Sequence, residues 1–281
     1  MTALATHVDE VLPVPAASGV SFAGVLRSER IKLTSLRSTV WTVLSAVAGS
    51  VGFAGLIVLG ILVAPAEGGD AGEIVAATFG ERPALGAIGF VVLIAQLLVA
   101  VLGVLVVSAE RSSGLLAATV AAVPRRTPIL AAKLVVSGVA SFAVGLVIGV
   151  ATWLVVQPSL PTIGKPAWEV DAGTLQVVLG TALYLAMISV LSTALGSLFR
   201  SSAAGLGLVL GVLLLLPGVL PMIPLVGGGL AQILPSAAGM LLFQPFDQVG
   251  WGAILAGLAI LLAWVGAAAA GAAVLWKKRD I

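Results

Sequence analysis

The 281 residues are 60% hydrophobic and only 9% charged, with a formal net charge of +2 and a single histidine. Soluble domains carry about 25% charged residues, so this chain has too few to coat a water-facing surface. A balance of +2 leaves no electrostatic footprint for nucleic acid, and the lack of cysteine removes disulfides, thiolate chemistry and sulfur-ligated metals.

Residues 1–19 mix Asp9 and Glu10 with Pro13 and Pro15, and no basic region precedes an apolar core. They read as a disordered cytoplasmic tail rather than a signal peptide. Residues 21–37 follow a helical period instead. At roughly 100° per residue, Phe22, Val25, Leu26, Leu33 and Leu36 share one arc, with Arg27, Arg30 and Arg37 beside it. That pattern predicts an amphipathic helix in the inner membrane interface, with Arg27, Arg30, Lys32 and Arg37 available to anionic headgroups. Glu29 falls inside the apolar arc. Either it meets a basic or donor partner, or an irregular helix lets it reach water.

Six apolar runs follow, at residues 40–64, 85–107, 129–156, 175–199, 203–220 and 251–276. Their lengths suit a hydrocarbon core of ~30 Å at 1.5 Å per helical residue. No internal repeat is visible, so an inverted-repeat transporter is not indicated. Residues 221–245, before the sixth run, are apolar yet broken by Pro224, Gly227-Gly228-Gly229 and Pro235. A continuous helix there would forfeit backbone hydrogen bonds that lipid does not replace. Two short half-helices re-entering the bilayer under the shelter of other helices fit; an apolar surface loop is the alternative.

Between the second and third runs, Glu110-Arg111-Ser112-Ser113-Gly114 opens a second interfacial segment. Ser112 or Ser113 suits the cap of a short helix that Pro124 ends or kinks. Leu116, Thr119, Val120 and Val123 share one face, and Arg125 and Arg126 suit the negative helix end. Lipid headgroups or a partner protein would cover that apolar face. With both termini inside, all of the 14 Lys and Arg residues except Arg82 and Lys165 fall on the inner side. The positive-inside rule therefore favours six spans with both termini cytoplasmic.

No span carries Asp, Glu, Lys or Arg near its middle. Such a charge costs ~2.5–3.5 kcal/mol on insertion scales and usually marks a proton or ion relay, so proton coupling is disfavoured. His7 lies in the tail, which excludes a Ser–His protease site and a histidine metal site within the membrane. Gly164-Lys165 is followed by Pro166, so no phosphate loop is present and the chain is no P-loop ATPase. Polar side chains within the spans include Gln96, Thr152, Tyr184, Ser189, Ser192 and Thr193, with Gln176 near an end. Gln96, together with Tyr184 and Ser189, either lines a substrate path or hydrogen-bonds between helices. Gly207 and Gly211, four apart in the fifth span, are candidates for a dimer contact, and Gly49, Gly52 and Gly55 likewise permit close helix approach.

Two motifs carry a family resemblance. Ser28-Glu29-Arg30-Ile31-Lys32-Leu33-Thr34-Ser35-Leu36-Arg37-Ser38 resembles the S-E-x-x-K-L-x-S-L-R-S opening of bacterial ABC-2 type permeases, actinobacterial ones especially. The stretch from Glu110 through Gly114 to Ala131-Ala132-Lys133 resembles that family's E-x-x-x-G segment with its V-P-R-R and A-A-K endings. Leu115 stands where the family often has Thr.

The resemblance spans residues 20–281 and implies an all-α transmembrane domain of the ABC-2 type. It implies six transmembrane helices, an N-terminal interfacial helix, a cytoplasmic coupling helix between spans two and three, and a re-entrant segment before span six. The implied function is the membrane-spanning permease subunit of an ATP-binding-cassette exporter in the plasma membrane, not itself an enzyme. Glu110, Ser113, Gly114, Leu115, Leu116, Thr119, Val120, Val123, Arg125 and Arg126 would seat in a groove of a separate ATPase subunit. ATP and Mg would be held by that partner, with no cofactor on this chain. A second permease copy, identical or a close paralogue, would complete the pathway. Competing expectations are an ATP-independent channel or facilitator and a membrane scaffold subunit.

Overall fold

A computed structural model describes residues 21–63, 71–112 and 126–278. Every regular element among them is helical. The helices are α1 (Phe22–Ser35), α2 (Arg37–Val63), α3 (Ala71–Phe79), α4 (Pro83–Ser112), α5 (Arg126–Val156) and α6 (Ala172–Leu198). They continue with α7 (Ser202–Leu210), α8 (Leu216–Val219), α9 (Gly227–Gln232), α10 (Pro235–Met240) and α11 (Phe246–Lys278). Six stretches are long and apolar enough to cross a membrane: Arg37–Val63, Pro83–Glu110, Thr127–Ile163, Ala172–Leu198, Ser202–Met222 and Phe246–Lys278. Among the described residues the architecture is all-α, as expected, with six helices long and apolar enough to span.

Local chemistry sets the helix ends. Ser21 Oγ accepts the Gly24 N–H at 3.1 Å, satisfying one of the orphan donors that open α1. The helix stops where Leu36 turns extended (φ −77, ψ 117), so α1 is separate from the first span. Asp171 caps α6 in the same manner, its carboxylate accepting the Thr174 N–H at 2.7 Å. In the fifth span, Gly211–Leu215 forms a π turn, with the Leu216 N–H bonded five residues back to the Gly211 carbonyl. Pro217 follows directly, and its missing N–H and its ring disturb the α ladder at this point.

The fourth span lies at the centre. In its most apolar 18-residue stretch, 78% of α6 is buried, against 22% for the fifth and sixth spans. Lipid tails are as apolar as leucine, so helices associate here by close van der Waals contact at small residues rather than by hydrophobic burial. A Cβ on Gly145 of α5 would stand 2.7 Å from the Ala182 Cα, and one on Gly103 of α4 would stand 2.7 Å from the Ser189 carbonyl oxygen. The two neighbours of α6 thus approach its backbone directly.

Residues 227–245 fold back between the fifth and sixth spans. The Trp264 indole N–H, well inside α11, donates to the Ile233 carbonyl at 2.8 Å. α10 packs against α11, and the turn that follows it, Leu241–Phe243, lies on α6. Gly239 lies flush on the Tyr184 ring, and Gly180 on the Leu242 carbonyl. The Gln176 side chain clasps the end, its Nε2 donating to the Leu242 carbonyl at 2.8 Å and its Oε1 accepting the Phe246 N–H at 3.2 Å. The last helix bends at Gly250 (φ 76, ψ 151), a conformation that residues with a Cβ avoid.

Three features depart from the sequence expectation. The second span runs on as helix to Ser112, which carries Glu110 beyond the apolar run. A 3-10 turn, Gln157–Ile163, prolongs the third span. α3 is an additional short helix before Pro83, which begins α4. The predicted tail, residues 1–19, and the body of the predicted coupling helix, residues 113–125, lie outside the described residues.

Candidate functional site

α1 packs along the first turns of α5, and its Lys32 reaches Glu110 at the end of α4; α4 and α5 are the helices that flank residues 113–125 in sequence. Glu29 lies one turn after the buried Val25, so the face of α1 that packs inward also presents a carboxylate. On α4, the helical extension past the apolar run brings Glu110 to the same place, and α5 supplies Lys133.

The four side chains close a ring. Lys133 Nζ contacts Glu29 Oε2 at 2.7 Å and Glu110 Oε2 at 2.6 Å. Lys32 Nζ contacts Glu29 Oε1 at 2.8 Å and Glu110 Oε1 at 3.1 Å. Each carboxylate therefore holds both lysines, one through each oxygen, and the cluster sums to zero charge. Lys133 is 1% exposed, Glu29 4% and Glu110 5%. Only Lys32 keeps a foot in solvent, with 22% of its side chain exposed. Burial by itself would lower the Lys32 pKa. The hydrogen bond and charge of Glu29, then those of Glu110, outweigh it and hold the ammonium above the ordinary lysine value.

Taking four charges out of water is costly, and complete mutual pairing offsets that cost only while every member is present. The ring supplies no nucleophile, no histidine and no free base, so its chemistry is mechanical. It ties the N-terminal helix to both helices that frame residues 113–125. No protein-family model and no curated protein matches the chain.

The other predicted residues occupy separate places. Ser113, Gly114, Leu115, Leu116, Thr119, Val120, Val123 and Arg125 lie outside the described residues, and Arg126 opens α5. Arg27, Arg30 and Arg37 are exposed on or just after α1. Gln96 and Tyr184 meet in the packed interior, the Tyr184 hydroxyl donating to Gln96 Oε1. Ser189 Oγ donates to the Ser137 carbonyl at 3.3 Å, and Thr193 Oγ1 reaches Ser137 Oγ at 3.2 Å. These contacts link α4 and α5 to α6. A cleft of about 320 Å³, lined by Gly86, Gly89, Phe90, Leu93, Phe243 and Gln244 among others, opens near the start of α4. The Phe243 ring stands between it and Tyr184, with centroids 5.2 Å apart. Nothing within 4 Å would obstruct a Cβ at Gly207 or Gly211, so that face of the fifth span is open.

Lys133 and Ser137 were not among the candidate side chains. Lys133 had a signal, as the lysine of the A-A-K stretch four residues into the third apolar run. Ser137 had none, because serine satisfies itself inside helices by bonding preceding carbonyls.

The opposite ends of the spans carry a second polar group. Arg82 Nη2 pairs with Asp171 Oδ1 at 2.7 Å, and Lys165 Nζ with Glu81 Oε2 at 3.2 Å. The Arg82 hydrogen bond, then the Thr174 N–H, hold the Asp171 carboxyl down at about 2. The only two basic residues assigned to the outer side are thus both paired with carboxylates.

Proposed function

We propose that the chain is the membrane-spanning permease subunit of an ATP-binding-cassette exporter of the ABC-2 type, driven by a separate ATPase subunit. The observation that carries this reading is the ring itself. Glu29 and Lys32 come from the S-E-x-x-K stretch, Glu110 from the E-x-x-x-G stretch and Lys133 from the A-A-K stretch. Three segments on which the resemblance rests, far apart in the chain, converge on one buried contact.

In this reading, residues 113–125 are the coupling helix, with Leu116, Thr119, Val120 and Val123 turned to the ATPase. A push on that helix moves α4 and α5, and the ring obliges α1 to move with them. α1 lies in the inner interface, both termini are cytoplasmic, and the membrane is the plasma membrane. Residues 227–245 form the re-entrant segment, supported by the Trp264–Ile233 and Gln176–Leu242 hydrogen bonds. A second permease copy packs on the open glycine face at Gly207 and Gly211. Gln96, Tyr184 and Ser189 latch the spans in this state and border the pathway when the helices part. ATP and Mg reside on the ATPase, and this chain binds neither.

The test uses the full chain with a candidate P-loop ATPase subunit, in inverted vesicles. ATP-dependent transport should require both proteins, and the purified chain alone should hydrolyse no ATP. Leu116→Asp places an unpaired carboxylate on the docking face and should weaken ATPase association at least about tenfold, which is ~1.4 kcal/mol. Thr119→Ser should be nearly silent. Full association and transport by Leu116→Asp would remove the coupling role, and ATP turnover by the isolated chain would sink the assignment.

A further inference from the structure

The ring occupies one side of α1; the other side borders a groove. Leu26, Leu33 and Thr34 of α1 face Val135, Val136, Val139, Ala140 and Ala143 of α5 across a groove of about 450 Å³. Its walls are almost wholly aliphatic, and at its rim stand Arg27 and Arg30. Both arginines are exposed and form no ion pair among the described residues, unlike Lys32 on the same helix. Val135 and Val139 remain 48% and 65% exposed, so no other described part of the chain covers this wall.

We propose that this groove is a binding site for one anionic phospholipid, its phosphate held by Arg27 and Arg30 and an acyl chain lying along α5 from Val135 to Ala143. Charge decides the occupant. A second protein helix would bring an apolar stripe but leave two guanidinium groups unpaired, whereas a phospholipid supplies both an acyl chain and an acceptor-rich anion. Arginine donors also fork onto phosphate oxygens with matched geometry. The wall runs into the third span away from the charged ring, which is the direction an acyl chain takes from its headgroup. The site stands on α1 and α5 alone and does not depend on whether an ATPase docks nearby. A lipid seated here would brace α1 against α5 on the side the ring does not reach, making headgroup charge a determinant of α1 position.

The experiment measures lipid retention by native mass spectrometry on the full-length chain, purified in detergent with its partners where these co-purify. Phosphatidylglycerol and phosphatidylcholine of identical acyl chains are titrated in turn. The wild type should retain phosphatidylglycerol in preference. The double variant R27Q/R30Q should lose about fivefold per arginine, about twenty-fivefold in all, for phosphatidylglycerol while leaving phosphatidylcholine unchanged. R27K/R30K should keep most of the preference, because charge is retained. Ala143→Trp, or Val139→Trp should the first fail to insert, fills the groove and should weaken both lipids with the arginines intact. Equal retention of the two lipids by the wild type would overturn the proposal, as would undiminished phosphatidylglycerol binding by R27Q/R30Q. Displacement of phosphatidylglycerol by millimolar inorganic phosphate would mark a free-anion site and overturn it too.

Discussion

Replacing Lys133 by Met keeps an unbranched stem of similar length and deletes one charge from the ring. Glu29 and Glu110 then lose their shortest contacts, 2.7 and 2.6 Å, and keep those to Lys32 at 2.8 and 3.1 Å. A ring that summed to zero now carries a net charge of −1 on carboxylates whose side chains are 4% and 6% exposed. Removing one partner from a buried pair costs about 3–5 kcal/mol, so Lys133→Met should fall in that range. Lys32→Met should cost less, about 1–2 kcal/mol, because its side chain is 22% exposed and solvent screens part of the loss. Pairing Lys133→Met with Glu110→Gln restores neutrality and should recover at least ~1 kcal/mol relative to the sum of the single effects. Denaturant titration in micelles, followed by tryptophan fluorescence, reads these differences. Trp276, 2% exposed and packed with Val25 and Ile129, reports from the same end of the bundle. A loss below ~1 kcal/mol for Lys133→Met, or strict additivity in the double variant, would refute the account of the ring as a coupled, fully paired cluster.

Other expectations follow from the same contacts. The Asp171 carboxyl is held at about 2, below its unfolded value of 3.8, so the stability it contributes is fully present above about pH 4 and is lost as pH falls through 2. Asp171→Asn should flatten that part of the wild-type stability-versus-pH curve, and an unchanged acid slope would rule the pair out. Tyr184→Phe leaves Gln96 Oε1 without its donor in the interior and should cost about 1–3 kcal/mol in the same titration. Gly180→Val drives a side chain into the Leu242 carbonyl and should destabilise by about 1–3 kcal/mol or more, with increased protease access to residues 227–245; a silent variant would contradict the packing. The native chain has no cysteine, so Val170→Cys should react with an impermeant thiol reagent added to intact cells while Ser35→Cys should not. The reverse pattern would invert the topology.

The number and rough limits of the spans were legible in the sequence because crossing a bilayer is a local requirement. A run of about 20 apolar residues meets it wherever the rest of the chain lies. The amphipathic period of residues 22–35 was legible for the same reason, and so was the anomaly of Glu29 on the apolar arc. The extent of the second span beyond residue 107 was not, because Glu110 reads as a stop when its partners are out of sight. A charge ends a hydropathy run, but a paired and buried charge need not end a helix.

Which residues answer Glu29 was a matter for tertiary structure alone. Lys133 lies 104 positions away, and the sequence marks each residue by its own motif without joining the two. The bond between Tyr184 and Gln96, 88 positions apart, has the same character. Glycines 180 and 239 look like the many other glycines in membrane helices until Leu242 and Tyr184 are placed on them. Apolar length and period are summed along the chain and survive without a fold. Charge pairing and close approach are set by which helices become neighbours, and in lipid, where burial confers little preference among apolar faces, small residues and satisfied polar groups make that choice.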